Sequence, residues 1–199
     1  MGRIAVDVVL LPSHEMMEKA IRANAELIQT FAKKIVLNKE SCLPHISLAM
    51  GCIDERDIKP IEGVLQQVAE DSPLGELTAT GVHTSTNARG EKVSVWEIEK
   101  TRELQSLHEK IMIKTAPYFS HDVSSEMIYG DEEVAETTLL WIKNYAEKAS
   151  FAKFFPHITI GYGGIESGSF PITFAPSKLA LCHLGNQCTC REILASVGL

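Results

Sequence analysis

Residues 155–163 read FPHITIGYG and residues 43–51 read LPHISLAMG. The two nonamers agree at Pro, His, Ile and the closing Gly, and in each a hydroxyl residue stands two positions after the histidine. Alternate side chains of a strand share a face. His45, Ser47 and Ala49 are therefore expected on one side of the first strand, with Ile46, Leu48 and Met50 on the other. In the second copy His157, Thr159 and Gly161 oppose Ile158, Ile160 and Tyr162. Each strand would give a bulky apolar face to a core and present an imidazole, a hydroxyl and a small residue on the other side. The small residue would leave room for a ligand.

Outward from these strands the hydrophobic period switches repeatedly between about 2 and about 3.6. IAVDVVLLP (4–12) reads as a strand, after which Ser13 caps a helix with Met16, Ala20, Leu27, Phe31 and Ile35 as its stripe. Asp54 or Asp57 opens a second helix with Ile58, Ile61, Leu65 and Val68 inward, Pro60 being tolerated in its first turn. LTATGVHTST (77–86) and KVSVWEIE (92–99) form a hairpin around NARG (87–90). Thr101 opens a helix with Leu104, Leu107, Ile111 and Thr115 on one face, and Pro117 ends it. Asp131 opens another, with Val134, Thr138, Trp141 and Tyr145. The tail offers FPITFAP (170–176) and then KLALCHLG (178–185) and TCREILASV (189–197), the last two a hairpin around GNQ.

Two helices and several antiparallel strands in each half predict an α+β fold of two similar lobes within one compact body spanning 1–199. If a pseudo-twofold axis relates the lobes, antiparallel sheets line a central cleft with helices outside. Both histidines and both hydroxyls then surround one site.

Composition limits what such a site can bind. The 45% apolar and 23% charged content is that of a folded chain, and the formal charge of −7 leaves no basic surplus for the phosphates of duplex DNA. A short anion held in a local cleft is compatible with it. The N-terminal apolar run carries one basic residue and is broken by Asp7, so it reads as a strand and not as a signal peptide. Val6 stands where a myristoylation motif requires Ser or Thr. No apolar run reaches membrane-spanning length, and five cysteines without a secretory signal predict a reduced, cytoplasmic setting.

Two imidazoles facing one small site suit phosphoryl transfer. One neutral ring can take a proton from water or a ribose hydroxyl while a protonated ring gives one to the departing oxygen. The hydroxyls can donate to the non-bridging phosphate oxygens. This chemistry requires neither a metal nor a cofactor.

With these two His-x-Ser/Thr strands in a chain of this length, the sequence resembles the two-histidine (2H) phosphoesterase superfamily. That group includes 2′-5′ RNA ligase-like proteins and 2′,3′-cyclic nucleotide phosphodiesterases. The resemblance implies a bilobal α+β fold, His45 and His157 as acid and base, Ser47 and Thr159 as phosphate-holding hydroxyls, and a nucleotide or RNA end as substrate. Family members often add an Arg, Lys or aromatic residue that grips phosphate or base. His83, Arg89, Lys92, Trp96 and Arg191 are all candidates, with nothing local to choose among them. The alternative reading of the same scaffold is a catalytically silent nucleotide- or RNA-binding module.

Other features carry plainer expectations. Cys182, His183, Cys188 and Cys190 are soft ligands within a short span, but Cys182 and His183 would point to opposite sides of a strand and the spacing is not that of a zinc knuckle. Buried cysteines on a hairpin explain them better. His14, His108 and His121 are expected on the surface. GYGGIESGSF (161–170) lacks the Lys-Ser/Thr of a phosphate-binding P-loop and reads as a loop leaving the strand. GDEEVAE (130–136) reads as an acidic helix N-terminus.

Overall fold

A computed structural model describes residues 2–87, 90–165 and 168–199. The described chain holds eight strands and four α-helices in the order β1 (Arg3–Pro12), α1 (His14–Thr30), β2 (Ile46–Asp54), α2 (Ile58–Asp71), β3 (Leu77–Thr86), β4 (Lys92–Ile98), α3 (Arg102–Thr115), α4 (Glu136–Lys148), β5 (His157–Tyr162), β6 (Ile172–Phe174), β7 (Pro176–Gly185) and β8 (Thr189–Gly198). The strands form two antiparallel four-stranded sheets, ordered β2-β1-β7-β8 and β5-β4-β3-β6. The fold is α+β, as expected.

The lobes are not the two halves of the sequence. The first sheet joins the two N-terminal strands that flank α1 to the C-terminal hairpin, and the second collects the middle of the chain. The repeat is nevertheless plain in the order of parts. β1 leads through the cap Ser13 into α1 and on to β2, and β4 leads through the cap Thr101 into α3 and on to β5. Each cap hydroxyl accepts a bond from the amide three residues on, Met16 for Ser13 and Leu104 for Thr101. Each of these helices then packs on the other lobe's motif strand, α1 on β5 and α3 on β2. The lobes are thereby tied by crossed helices.

The main core lies between these helices and the sheets, with Val6, Val8, Leu10, Leu48, Leu65, Leu104, Leu107, Ile158, Ile160 and Leu181 fully buried. Burying a side chain of this kind contributes roughly 1.5–3 kcal/mol.

Four local expectations need correction. Helix α1 stops at Thr30, so Phe31 and Ile35 are not part of its stripe; Phe31 is half exposed, and the buried positions are Met16, Ala20, Asn24 and Leu27. Helix α4 starts at Glu136 with Ala135 as its cap, and Asp131 lies outside it. Most of the acidic run therefore precedes the helix, and Ile142 replaces the exposed Trp141 on its inner face. His108 is fully buried, contrary to the surface placement expected for it. Cys182 and Cys190 form a disulfide, while Cys42, Cys52 and Cys188 are free, so the cysteines are not all reduced as expected. Part of the NARG turn, Ala88 and Arg89, and part of the glycine-rich segment, Glu166 and Ser167, lie outside the described residues.

Candidate active site

The two motif strands lie on their sheet edges, each against the strand that opens its repeat. β2 pairs with β1 and β5 pairs with β4. Both pairings skip a residue at the same place. Val8 lies opposite Ala49 while Val9 lies opposite Ser47, which leaves Leu48 as an extra residue. Ser94 lies opposite Gly161 while Val95 lies opposite Thr159, which leaves Ile160 as an extra residue. A bulge of this kind resets the alternation of faces.

The bulges change which side chains reach the cleft. His45, Ser47 and Met50 share a cavity of about 450 Å³ with His157, Thr159 and Tyr162. Ala49, expected beside the histidine, instead belongs to the buried core, and Gly161 turns to α1. At φ +151° Gly161 has a conformation that suits glycine, and a Cβ there would meet Asn24 Nδ2 at 3.1 Å and Leu27 at 3.2 Å. The small residues thus serve packing inside the fold, and the cavity side of each strand regains a large side chain, Met50 or Tyr162.

Each bulge carbonyl is claimed from behind by a buried polar side chain. Asn24 Nδ2 donates to the Ile160 carbonyl at 2.7 Å, and His108 Nδ1–H donates to the Leu48 carbonyl at 2.8 Å. His108 Nε2 in turn accepts from the Phe151 amide at 2.8 Å, and its ring stacks on Phe154 at 4.0 Å. Burial holds this imidazole below its usual pKa, so it is a neutral structural group.

The two motif histidines have the same local geometry. His45 Nδ1 lies 2.7 Å from the Leu43 carbonyl, and His157 Nδ1 lies 2.7 Å from the Phe155 carbonyl, in each case two residues back across a proline. A carbonyl only accepts, so each Nδ1 carries a hydrogen and each Nε2 keeps its lone pair when the ring is neutral. Burial lowers the pKa of both rings. His45 falls to about 4, chiefly by desolvation, partly offset by the Leu43 carbonyl and further depressed by His157. His157 is lowered by the same desolvation, with the Phe155 carbonyl opposing it and His83 adding to it. Its ring is stacked on Phe155 at 5.4 Å.

Around them the cavity is lined by His83, Trp141, Tyr145, Lys148, Lys153, Gln187 and Cys188, among others. The Tyr162 hydroxyl donates to Gln187 Oε1. Of the open candidates for a gripping group, His83 reaches the cavity, where its Nδ1 lies 3.5 Å from Glu97 Oε1. Trp96 is buried against Phe170 on the opposite face, and Arg191 lines a separate polar pocket beside Lys33, Lys34 and Asn38. Lys92 is exposed and does not line the cavity, and Arg89 lies outside the described residues. His14 is exposed and His121 partly buried, both away from the cavity. Among the described residues no group of three or more His, Cys, Asp or Glu is placed to hold a metal ion. The Cys182–Cys190 disulfide and His183, whose ring meets the Met127 carbonyl, occupy the C-terminal ligand candidates.

Asp7 is the residue whose importance sequence reading missed. It is fully buried on β1 opposite Met50, its Oδ2 lies 3.9 Å from His45 Nε2, and among the described residues neither carboxyl oxygen meets a partner in strict hydrogen-bond geometry, the Ser47 hydroxyl and the Ala49 amide standing close by. Burial pushes its carboxyl well above the usual range, outweighing the opposing influence of the Ser47 hydroxyl and the Ala49 amide. An ionisable residue in the middle of an otherwise apolar strand was the signal for it.

The sequence matches no protein-family model and no curated protein. Among solved structures the chain is similar over its whole length to E. coli LigT in apo form, with 15% identity, a TM-score of 0.52 and 99% of that chain covered. It is similar in the same way to a crystallised phosphoesterase, with 14% identity, a TM-score of 0.53, and 100% of this chain and 99% of that one aligned. E. coli LigT has also been crystallised with NADP+, and that structure matches 98% of this chain at 14% identity and a TM-score of 0.52. At this identity the likeness establishes architecture. The chain has the two-sheet fold of LigT and of that phosphoesterase.

Proposed function

We propose that the protein is a metal-independent phosphoesterase acting on a 2′,3′-cyclic phosphate or a 2′-5′ phosphodiester at a nucleotide or RNA end. The observation that supports it most is the duplicated histidine geometry. Two rings, each fixed through Nδ1 to a carbonyl two residues back, bring Nε2 lone pairs to one cavity. That is the arrangement in-line displacement at phosphorus needs, an acceptor for the attacking oxygen's proton and a donor for the leaving oxygen. Ser47 and Thr159 stand two residues after each histidine and line the same cavity, so their hydroxyls can hold the non-bridging oxygens between the rings. Lys148 and Lys153 supply local positive charge in a chain whose net charge is −7. Exposed Trp141 and Phe155 on the cavity wall offer flat faces for a base.

The shared fold with LigT supports this reading, as do the LigT structures holding phosphate and NADP+. Incubation with the four 2′,3′-cyclic mononucleotides and with a short RNA bearing a 2′,3′-cyclic end is the test. Ring-opened monoester is the expected product, lost in His45→Gln and His157→Gln. Binding of these ligands without turnover in the wild type would instead assign the scaffold to a silent nucleotide-binding module.

A further inference from the structure

The two lobes repeat the histidine, the hydroxyl and the bulge, but not what stands behind them. In the first lobe the residue opposite Met50 is Asp7; in the second, the residue opposite Tyr162 is Val93. The same register correspondence sets Ala180, opposite Val9, against His83, opposite Val95. One histidine therefore has a buried carboxyl 3.9 Å from its Nε2, and the other has an aliphatic residue at the matching register position and a second imidazole nearby.

We propose that Asp7 is the proton reserve of His45, a positioning residue that keeps one proton within reach of that ring, so that His45 is the general acid and His157 the general base. The assignment of acid and base rests on the phosphoesterase reading; the proton count does not.

The physical reason is burial. Asp7 is 0% exposed and the His45 side chain 14%, with 3.9 Å between Oδ2 and Nε2. In such a place the state with one proton shared by the couple is electrically neutral, whether written as carboxylic acid and imidazole or as carboxylate and imidazolium. The states with two protons or none carry an uncompensated buried charge. The couple therefore holds one proton across the neutral range, and its titration belongs to the pair. A buried imidazole alone would have lost its proton well below neutrality and could not act as an acid there.

The other groups facing Asp7 do not compete for this role. Ser47 lies beside it on β2, Cys182 lies opposite on β7 within its disulfide, and Tyr145 from α4 and Cys188 from the 186–188 turn have their own ionisation pushed up by burial and by Asp7 itself. Around His157 the nearest carboxylate in register is Glu97, which turns to His83, while Lys148 and Lys153 add positive charge to the cavity. The Phe155 carbonyl favours a protonated ring there, but the Leu43 carbonyl does the same for His45, so it does not distinguish the two.

A bound phosphate anion draws the couple's proton onto His45. In hydrolysis of a cyclic phosphate, water oxygen forms a bond to phosphorus as His157 Nε2 takes its proton. The bond from phosphorus to one ribose oxygen breaks, its electron pair stays on that oxygen, and the oxygen takes the proton from His45 Nε2. The couple ends with none and His157 with one, and exchange with solvent restores both.

Carbon and nitrogen NMR shifts of Asp7 and both motif histidines, followed against pH with and without inorganic phosphate, test this in the wild-type protein. Expected at pH about 7 is one proton on the Asp7–His45 couple and none on His157 Nε2, phosphate moving the proton toward His45. Asp7 ionised with His45 neutral at that pH, or His157 protonated first, overturns the proposal. Asp7→Asn, and Asp7→Val in imitation of Val93, should lower kcat at neutral pH by about 10–100-fold and move the alkaline limb of the rate profile to lower pH. An unchanged profile in either folded variant also overturns it. The shifts are read without turnover, so failure to hydrolyse any cyclic phosphate would sink the phosphoesterase reading and leave the proton count to be judged separately.

Discussion

Asn24 and His108 do the same job from different helices: each donates a hydrogen bond to the carbonyl of the extra residue in the opposite lobe's motif strand, Ile160 for Asn24 and Leu48 for His108. The bulge lets His45, Ser47 and Met50, and His157, Thr159 and Tyr162, line one cavity, and these buried donors pair the bulge carbonyls. Asn24 also bonds the Ile35 carbonyl and the Leu37 amide, so it fixes the 31–45 segment that leads to His45.

Asn24→Leu should therefore be costly. It removes the partner of three buried backbone groups, each worth about 1–3 kcal/mol when left unpaired, so a loss of roughly 3 kcal/mol or more in urea unfolding is expected. His108→Leu, which orphans two groups, should cost somewhat less. A loss below about 1 kcal/mol in both would mean that the bulges are held by the strands alone.

The histidines are expected to behave as a unit. His45→Gln and His157→Gln should each lower kcat on a cyclic mononucleotide by about 10²–10⁴-fold. The double variant should be little worse than the poorer single one, because either loss breaks the same proton relay. Additive losses would point to two independent sites.

Ser47→Ala and Thr159→Val remove the hydroxyls proposed to hold the phosphate while the strands stay packed. By analogy with deleting one oxyanion donor, each should reduce kcat by about 10²-fold. Ser47 also lies beside Asp7, so its variant should shift the rate profile along the pH axis where the Thr159 variant only lowers it. Identical profiles would separate Ser47 from the Asp7–His45 couple.

Chelation should leave turnover unchanged, since the proposed step uses only imidazoles, hydroxyls and the buried Asp7 carboxyl. Loss of activity with EDTA, restored by one divalent ion, would replace this mechanism with a metal-assisted one.

Hydrophobic periodicity along the chain was enough to read an α+β fold, and the repeated nonamer to expect two histidines and two hydroxyls around one cavity, because periodicity and a matched His-x-Ser/Thr pattern are local properties. What lay beyond reach was non-local. Whether Ala49 or Met50 faces the cleft depends on a skipped residue in the pairing of β2 with β1, which the alternation of Ile46, Leu48 and Met50 does not reveal. That α1 packs on β5 rather than on its own β1–β2 neighbours depends on Asn24 finding the Ile160 carbonyl. His108 looked like a surface residue because its partners, Leu48 and Phe151, are distant in sequence. Asp7 interrupted an apolar run in plain view, yet its meaning needed the position of His45.

The same buried groups set how stability responds to pH. His45, His108 and His157 all have depressed folded-state values, so the unfolded chain binds more protons than the native one below the ordinary histidine value of about 6.5. Their contribution is present in full above that pH and is lost as the pH falls toward their folded values, about 4 for His45. Asp7 has the opposite sign. Its folded value is raised, so its contribution is present in full below about 3.9, the unfolded carboxyl value, and is lost as the pH rises through the folded one. Between about 3.9 and 6.5 the Asp7 and His45 contributions oppose each other, since the pair binds one proton in the folded and the unfolded chain alike, so the fall in stability that urea unfolding should show from pH about 6.5 down to 4 comes from His108 and His157. Asp7→Val, which removes a buried carboxyl at a position where the second lobe already has Val93, should be as stable as the wild type or more so at pH 7, while turning over more slowly. A variant that loses stability and activity together would make Asp7 a structural residue, and a wild-type curve flat between pH 4 and 6.5 would mean that these histidines stay solvated in the folded protein.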